Sequence, residues 1–208
     1  MGLTRRSVII PVVLAVLAVF WLFRSGEPRA ARPTTGQSIV AFGDSLVEGR
    51  GATPGNDFVA VLSRRLGVPI INAGRSGDTA GAALSRLDHA VLARSPRVVI
   101  VLLGGNDFLR RVPREETFGH LATIVGRIRE RGAAVVLVGV SLGFLSDSYG
   151  KEYEALARRT SAGLVPDILD GIIGHGDRMS DAIHPNDQGH RMIADRLEPT
   201  LRDLMRAD

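Results

Sequence analysis

The 208-residue chain contains no cysteine and no long tract of serine, proline or glutamine. The missing thiols exclude a disulfide framework, a cysteine nucleophile, thiolate-ligated zinc and thiol redox chemistry, and they leave the compartment open. With 45% apolar and 23% charged residues, the absence of low-complexity sequence points to a folded chain with one main domain. An excess of charge in that domain is also lacking. The formal net charge of +4 resides in the first 32 residues, where Arg5, Arg6, Arg24, Arg29 and Arg32 face only Glu27; the remainder is balanced. A balanced body has no electrostatic reason to seek a phosphate backbone, so nucleic acid is not an expected partner.

Residues 8–23 form an unbroken apolar run behind Arg5-Arg6, closed by Trp21 and Arg24. As a helix this run spans about 24 Å, short of the roughly 30 Å hydrocarbon core but sufficient with local thinning and snorkelling arginines. A cleaved signal peptide is the alternative. Phe23-Arg24-Ser25 and Pro28-Arg29-Ala30 make poor small-x-small cleavage sites, so residues 1–26 are expected to be an uncleaved N-terminal membrane anchor. Residues 27–37, with Pro28, Pro33 and Gly36, are expected to be a linker, and residues 38–208 the folded domain.

Within the domain, residues 38–42, 69–72, 97–103, 134–140 and, more weakly, 164–168 are short Val- and Ile-rich runs, the pattern of strands buried on both faces of a parallel sheet. Helical patterns fill the intervals at 57–66, 81–93, 115–131 and 151–161, and residues 187–205 close the chain. Gly132 after a helix end and Pro113 near a helix start agree with end preferences. This alternation predicts an α/β fold: three α/β/α layers with a mostly parallel five-stranded sheet, preceded by the N-terminal hydrophobic helix. Chemistry in such sheets gathers where the strands end.

Each strand end carries an unusual loop. Gly43-Asp44-Ser45-Leu46 can turn sharply and project a hydroxyl above the sheet edge, although the same residues are common in plain turns. Asn72-Ala73-Gly74-Arg75-Ser76-Gly77-Asp78-Thr79 leads into a helix, and its glycines allow backbone amides close to a ligand without the spacing of a nucleotide fingerprint. Gly104-Gly105-Asn106-Asp107 can aim an amide donor into a cleft. Finally, Asp181 lies three residues before His184, so its carboxylate can accept from Nδ1 and leave Nε2 free as a base.

A second D-x-x-H pair, Asp187 and His190, tempers the weight of that spacing. Asp187 sits where an N-cap belongs and His190 lies inside the last helix, so a structural role is expected for both. Pro185 biases His184 toward an extended conformation, the better one for reaching a neighbouring strand end. His89, His120 and His175 have no evident partner and are expected at the surface or in packing.

Taken in order, Gly43-Asp44-Ser45-Leu46, Ser76-Gly77-Asp78-Thr79, Gly104-Gly105-Asn106-Asp107 and Asp181-x-x-His184-Pro185-Asn186 resemble the blocks of GDSL-type, or SGNH, hydrolases, with most likeness to the lysophospholipase, acyl thioesterase and arylesterase branch. The resemblance spans about residues 38–204. It implies a flavodoxin-like SGNH fold and a serine esterase acting on carboxylic esters or thioesters of acyl lipids or small acyl and aryl groups. It implies Ser45 as nucleophile, His184 as base and Asp181 as the residue that orients the histidine. It further implies an oxyanion hole from the amides of Ser45 and Gly77 and the Asn106 side chain, with Asp44 and Asp78 in supporting positions. No cofactor and no metal are implied. The expected partners are a small acyl-ester or lysolipid substrate and, through the N-terminal helix, a membrane, with the domain outside the cytoplasm, or secreted or periplasmic if the segment is cleaved.

Two other classes use the same residues. A metal-dependent phosphoesterase could enlist Asp44, Asp78, Asp107, Asn106 and His184, since carboxylates, an amide and an imidazole at strand ends can ligate metals. A noncatalytic, membrane-tethered lipid- or polysaccharide-binding domain could use the same cleft. Phe108, Phe118, Phe144, Tyr149 and Tyr153 are candidates either for an apolar acyl site or for the core. Oligomeric state is not legible.

Overall fold

Five short β-runs separated by helices require crossover connections, and all five strands pair in parallel. A computed structural model of the chain describes residues 30–33, 36–141 and 147–206. The expected anchor, residues 1–26, lies outside the described residues. The strands are β1 (Ser38–Gly43), β2 (Ile70–Gly74), β3 (Pro96–Leu102), β4 (Ala134–Val138) and β5 (Gly163–Val165), in spatial order β2-β1-β3-β4-β5. The chain first winds outward from β1 to β2, then crosses back over β1 to β3. This reversal opens a crevice beyond the carboxyl ends of β1 and β3, where ligands of open α/β sheets bind. Gly43 is level with both Gly74 and Leu102, so three loops leave the sheet at one height.

Alternation along the strands supplies two cores. Ile39, Ala41, Val98, Ile100, Leu102, Val136 and Val138 pack on one side against α2 (Phe58–Leu66) and α7 (Asp187–Met205). Val40, Phe42, Val99, Val101, Leu103, Val135 and Leu137 pack on the other against α3 (Ala80–Ala90), α5 (Arg114–Glu130) and α6 (Asp147–Thr160). A fully buried residue such as Leu62 or Leu121 contributes about 2 kcal/mol by transfer alone, and truncation to alanine costs about 2–5 kcal/mol once the cavity is included. The ends of α2 explain its length: the Asp57 side chain accepts from the Ala60 amide at 2.9 Å, and Gly67 closes the helix in a left-handed conformation.

Two expectations need correction. Residues 69–72 were expected to be buried on both faces, yet among the described residues β2 is an edge strand, and Asn72 on it is exposed. Within residues 27–37, expected to be a linker, Ala30 packs on the core, the Ala31 amide donates to the Ser161 carbonyl at 2.9 Å and Arg32 reaches the Arg206 carbonyl at 3.0 Å. An apolar contact and these bonds tie residues 30–32 to the domain. The loops after β1 and β3 contain two short helices, α1 (Ser45–Glu48) and α4 (Gly105–Leu109). Four or five residues are too few for a periodic signal. Among the described residues no helix is long and apolar enough to cross a membrane.

Candidate active site

The loop after β1 turns directly into α1. Asp44 caps that helix by accepting from the Leu46 amide at 3.0 Å, which sets Ser45 as the first helical residue. Opposite it, residues 177–186 form a folded-back loop. The Ser180 amide donates to the His184 carbonyl at 2.8 Å, and Asn186 caps α7 through the Gln188 and Gly189 amides at 2.9 and 3.1 Å. Gly51, in the left-handed region at φ +92°, lets this loop close on α1: a Cβ there would stand 2.2 Å from the Pro185 carbonyl oxygen.

These two loops bring the expected triad together. His184 Nε2 lies 3.1 Å from Ser45 Oγ, and His184 Nδ1 lies 2.7 Å from Asp181 Oδ2. Asp181 Oδ1 accepts from the Ile183 and His184 amides at 2.9 and 2.8 Å. Those amides, together with the imidazole, hold its carboxyl down at about 2, so it is ionised at neutral pH. An ionised carboxylate only accepts, so Nδ1 carries the proton and Nε2 is left to accept from the serine hydroxyl.

The second D-x-x-H pair is built into the scaffold. His190 is fully buried, accepts from the Phe58 amide at Nδ1 (3.3 Å), donates from Nε2 to the Arg50 carbonyl (3.1 Å) and stacks on Phe58. Burial pushes its pKa down, favouring the neutral ring that these two bonds need. Asp187 is not the cap expected of it. Asn186 takes that position, and Asp187, one residue later, accepts from the Thr53 amide and hydroxyl (both 2.7 Å) and from Asn56 (3.0 Å). His89 and His175 are exposed and His120 is half-buried.

The expected oxyanion donors come from three strand ends. Among the described residues, neither the Ser45 nor the Gly77 amide donates to a protein acceptor. Gly77 adopts φ +80°, which a side chain would strain. Asn106, in the first turn of α4, donates from Nδ2 to Asp44 Oδ2 at 3.2 Å. Asp44 is only 3% exposed, and burial pushes its carboxyl up to about 6 against the pull of the Leu46 and Asn106 donors. Ser45, Asn106 and His184 line one open cleft; Gly77 is not among its lining residues.

The apolar wall of the cleft comes from Leu46, Leu109, Val140, Leu169 and Ile183, of which Leu109 and Ile183 are exposed. The aromatic alternative goes to the core: Phe108 and Phe118 pack edge-on against Tyr149, Phe118 also against Tyr153, and the Tyr153 hydroxyl donates to the Leu103 carbonyl at 2.6 Å. Phe144 lies outside the described residues.

The remaining acids have other occupations. Asp78 receives Arg75 Nε at 2.8 Å and Arg86 Nε at 2.5 Å, one on each oxygen. Arg86 also donates to the Gly43 and Ala73 carbonyls at 3.0 Å and covers the Phe42 ring. Sequence inspection missed Arg86; its place in the middle of α3 looks like an ordinary helix arginine. Asp107 accepts from the Ala80 amide at 2.9 Å and so anchors the start of α3. With Asp78 and Asp107 committed this way, the metal-ligand set considered for a phosphoesterase does not assemble; among the described residues no group of three or more His, Asp or Glu side chains gathers in metal-binding geometry.

A parallel sheet of order 2-1-3-4-5 with a serine, an imidazole and a carboxylate relayed across its switch point defines the class: an α/β serine hydrolase. Residues 41–192 match the GDSL-like Lipase/Acylhydrolase family, and the chain belongs to it. It is therefore a carboxylic ester hydrolase. It is 31% identical over 180 residues to "Esterase TesA" of Pseudomonas aeruginosa, covering 81% of this chain and 90% of that protein. It is 28% identical to "Thioesterase 1/protease 1/lysophospholipase L1" of Escherichia coli, covering 85% of this chain and 89% of that protein. A solved structure titled "Crystal Structure of TesA" superposes with a TM-score of 0.77 at 30% identity, covering 81% of this chain and all of that one.

Proposed function

We propose that ester hydrolysis proceeds through Ser45, with His184 as general base and acid, Asp181 as the group that orients the imidazole, and the Ser45 and Gly77 amides plus Asn106 Nδ2 as oxyanion donors. The observation that carries this is the unbroken relay Ser45 Oγ, His184 Nε2, His184 Nδ1, Asp181 Oδ2, at 3.1 and 2.7 Å. A serine hydroxyl is a weak nucleophile, so attack on the acyl carbon requires transfer of its proton to His184 as the new C–O bond forms. The imidazolium is stabilised by Asp181, which stays ionised. Negative charge collects on the former carbonyl oxygen, where the three donors would meet it. Collapse expels the leaving alcohol or thiol with the proton from His184. Water then repeats the sequence on the acyl-enzyme and frees the acid.

Apolar residues beside Ser45 support an acyl substrate, with Leu109 and Ile183 at the mouth of an open cleft suited to aliphatic chains. The relatives' printed names favour acyl esters, thioesters and lysolipids for this chain as well. The apolar run at 8–23 supports residues 1–26 as a membrane anchor that keeps the domain of residues 38–208 outside the cytoplasm and near lipid substrates.

The test compares wild type and Ser45→Ala on oxygen and sulfur esters from acetyl to palmitoyl, with a serine-directed phosphonate and a chelator as probes. Turnover that Ser45→Ala and the phosphonate both abolish, and that the chelator leaves intact, is expected. Chelator-sensitive turnover that survives Ser45→Ala would return the case to a metal-dependent enzyme, and no turnover of any ester by wild type would favour a binding domain. The anchor is tested by membrane fractionation and mass of the mature chain: a full-length membrane-bound form is expected, and a shortened soluble form means cleavage.

A further inference from the structure

Each proposed oxyanion donor has an aspartate as its neighbour in sequence: Asp44 before Ser45, Asp78 after Gly77, Asp107 after Asn106. Asp44 and Asp107 bond directly into another loop, and Asp78 reaches one through Arg86. Asp44 Oδ2 accepts from Asn106 Nδ2 in the loop after β3. Asp107 Oδ2 accepts from the Ala80 amide, at the start of the helix that follows the Gly77 loop. Asp78 grips Arg86, whose guanidinium donates to the Gly43 carbonyl at the end of β1. The three links close on themselves: loop one to loop three, three to two, two to one. All three aspartates are buried.

We infer that these aspartates form a closed brace that fixes the oxyanion donors relative to one another, and that Asp44 is the positioning residue that orients the Asn106 amide. This rests on the proposed serine mechanism. Helix capping alone does not account for Asp44, because serine or asparagine would cap α1 equally well without burying an acid. A carboxylate has two accepting oxygens and no donor, so it can serve the Leu46 amide and the Asn106 side chain together. One Nδ2 hydrogen of Asn106 is then spent on Asp44, which fixes the amide plane and directs the other hydrogen. Preorganised donors of this kind are effective because they need not reorient as charge develops.

Asp44→Asn is nearly isosteric and can keep the Leu46 bond through its Oδ1, but it turns an NH2 toward the Asn106 NH2. Two donors cannot pair, so Asn106 must rotate and present its carbonyl to the developing charge. With p-nitrophenyl butyrate as probe, Asp44→Asn is expected to lower kcat about 10- to 100-fold, with KM within about threefold and no fall in Tm. Asp44→Ser keeps a cap, removes the contact and is expected to lose kcat similarly. Adding Asn106→Ala to Asp44→Asn should then cost far less than Asn106→Ala costs in wild type, because the donor is already misplaced. Wild-type kcat in both Asp44 variants, a loss that multiplies independently with Asn106→Ala, or a loss matched by a fall in Tm would overturn the inference. Turnover surviving Ser45→Ala would instead overturn the serine mechanism beneath it, so the two failures are distinguishable.

Discussion

Two carboxylates approach the same cleft from opposite sides, and the protein treats them in opposite ways. Asp181 stands on an exposed loop, its side chain 52% accessible, and local amides hold its charge. Asp44 lies under α1 at 3% exposure, and burial drives its carboxyl up to about 6 where Asp181 is held at about 2. An acid whose task is to stay negative beside an imidazole needs hydrogen bonds, not burial, to do so. An acid whose task is to fix geometry is placed inside, at a cost in stability. In the proposed mechanism proton transfer thus sits on the solvent side, and the fixed donors on the buried side.

The sharpest way to break this comparison is to remove the relay. Ser45→Ala and His184→Ala are each expected to lower kcat about 10⁴- to 10⁶-fold with the fold intact, read from single-turnover assays beside circular dichroism. On the buried side Asn106→Ala is expected to lower kcat about 10²- to 10³-fold with little change in KM. If Asn106→Ala left turnover unaltered, the donor side would be scaffolding only.

The two D-x-x-H pairs sharpen the contrast between relay and scaffold. His190→Ala removes a buried ring that accepts from the Phe58 amide, donates to Arg50 and stacks on Phe58. It should cost about 2–4 kcal/mol in denaturant melts while kcat at low temperature stays within about threefold. A dead but stable His190→Ala enzyme would mean that the wrong pair had been assigned to the chemistry.

Much of this was legible in the chain. Alternating Val- and Ile-rich runs and helical intervals gave the parallel sheet, because burial on both faces leaves a composition that periodicity can detect. Ser45, Asp181 and His184, which the structure brings into one hydrogen-bonded line, were legible as candidates because the proposed nucleophile, base and orienter each demand particular side chains. The aspartate brace was not. Asp44, Asp78 and Asp107 look alike in sequence, and their tasks depend on which loop each one faces across the switch point. Arg86 was illegible for the same reason: besides Asp78 its partners are backbone carbonyls of β1 and β2, and carbonyls leave no trace in a sequence. The aromatic residues were ambiguous because Phe108, Phe118, Tyr149 and Tyr153 have composition suited to either a pocket or a core, and only their mutual edge-on contacts place them.

The smallest expected effect separates the two carboxylates by stability alone. Asp44 has its folded-state pKa raised from 3.8 to about 6, with His184, Asp78 and Tyr153 the titratable groups that feel its charge. Between those values the folded state binds more protons than the unfolded state, so stability is greatest below about pH 4 in this contribution and falls as pH rises toward 6. At about 1.4 kcal/mol per pH unit, ionised Asp44 costs roughly 3 kcal/mol at neutral pH, a figure that already includes what the Leu46 and Asn106 bonds return. Urea melts of wild type and Asp44→Asn at pH 4.5 and 7 measure it: the variant should gain on wild type as pH rises. Asp181 moves the other way, since a lowered pKa contributes stability present above pH 4 and lost as pH falls toward 2. An Asp44→Asn enzyme that lost stability relative to wild type at pH 7 would show that the buried acid is held for folding, and would erase the distinction between the two sides of the cleft.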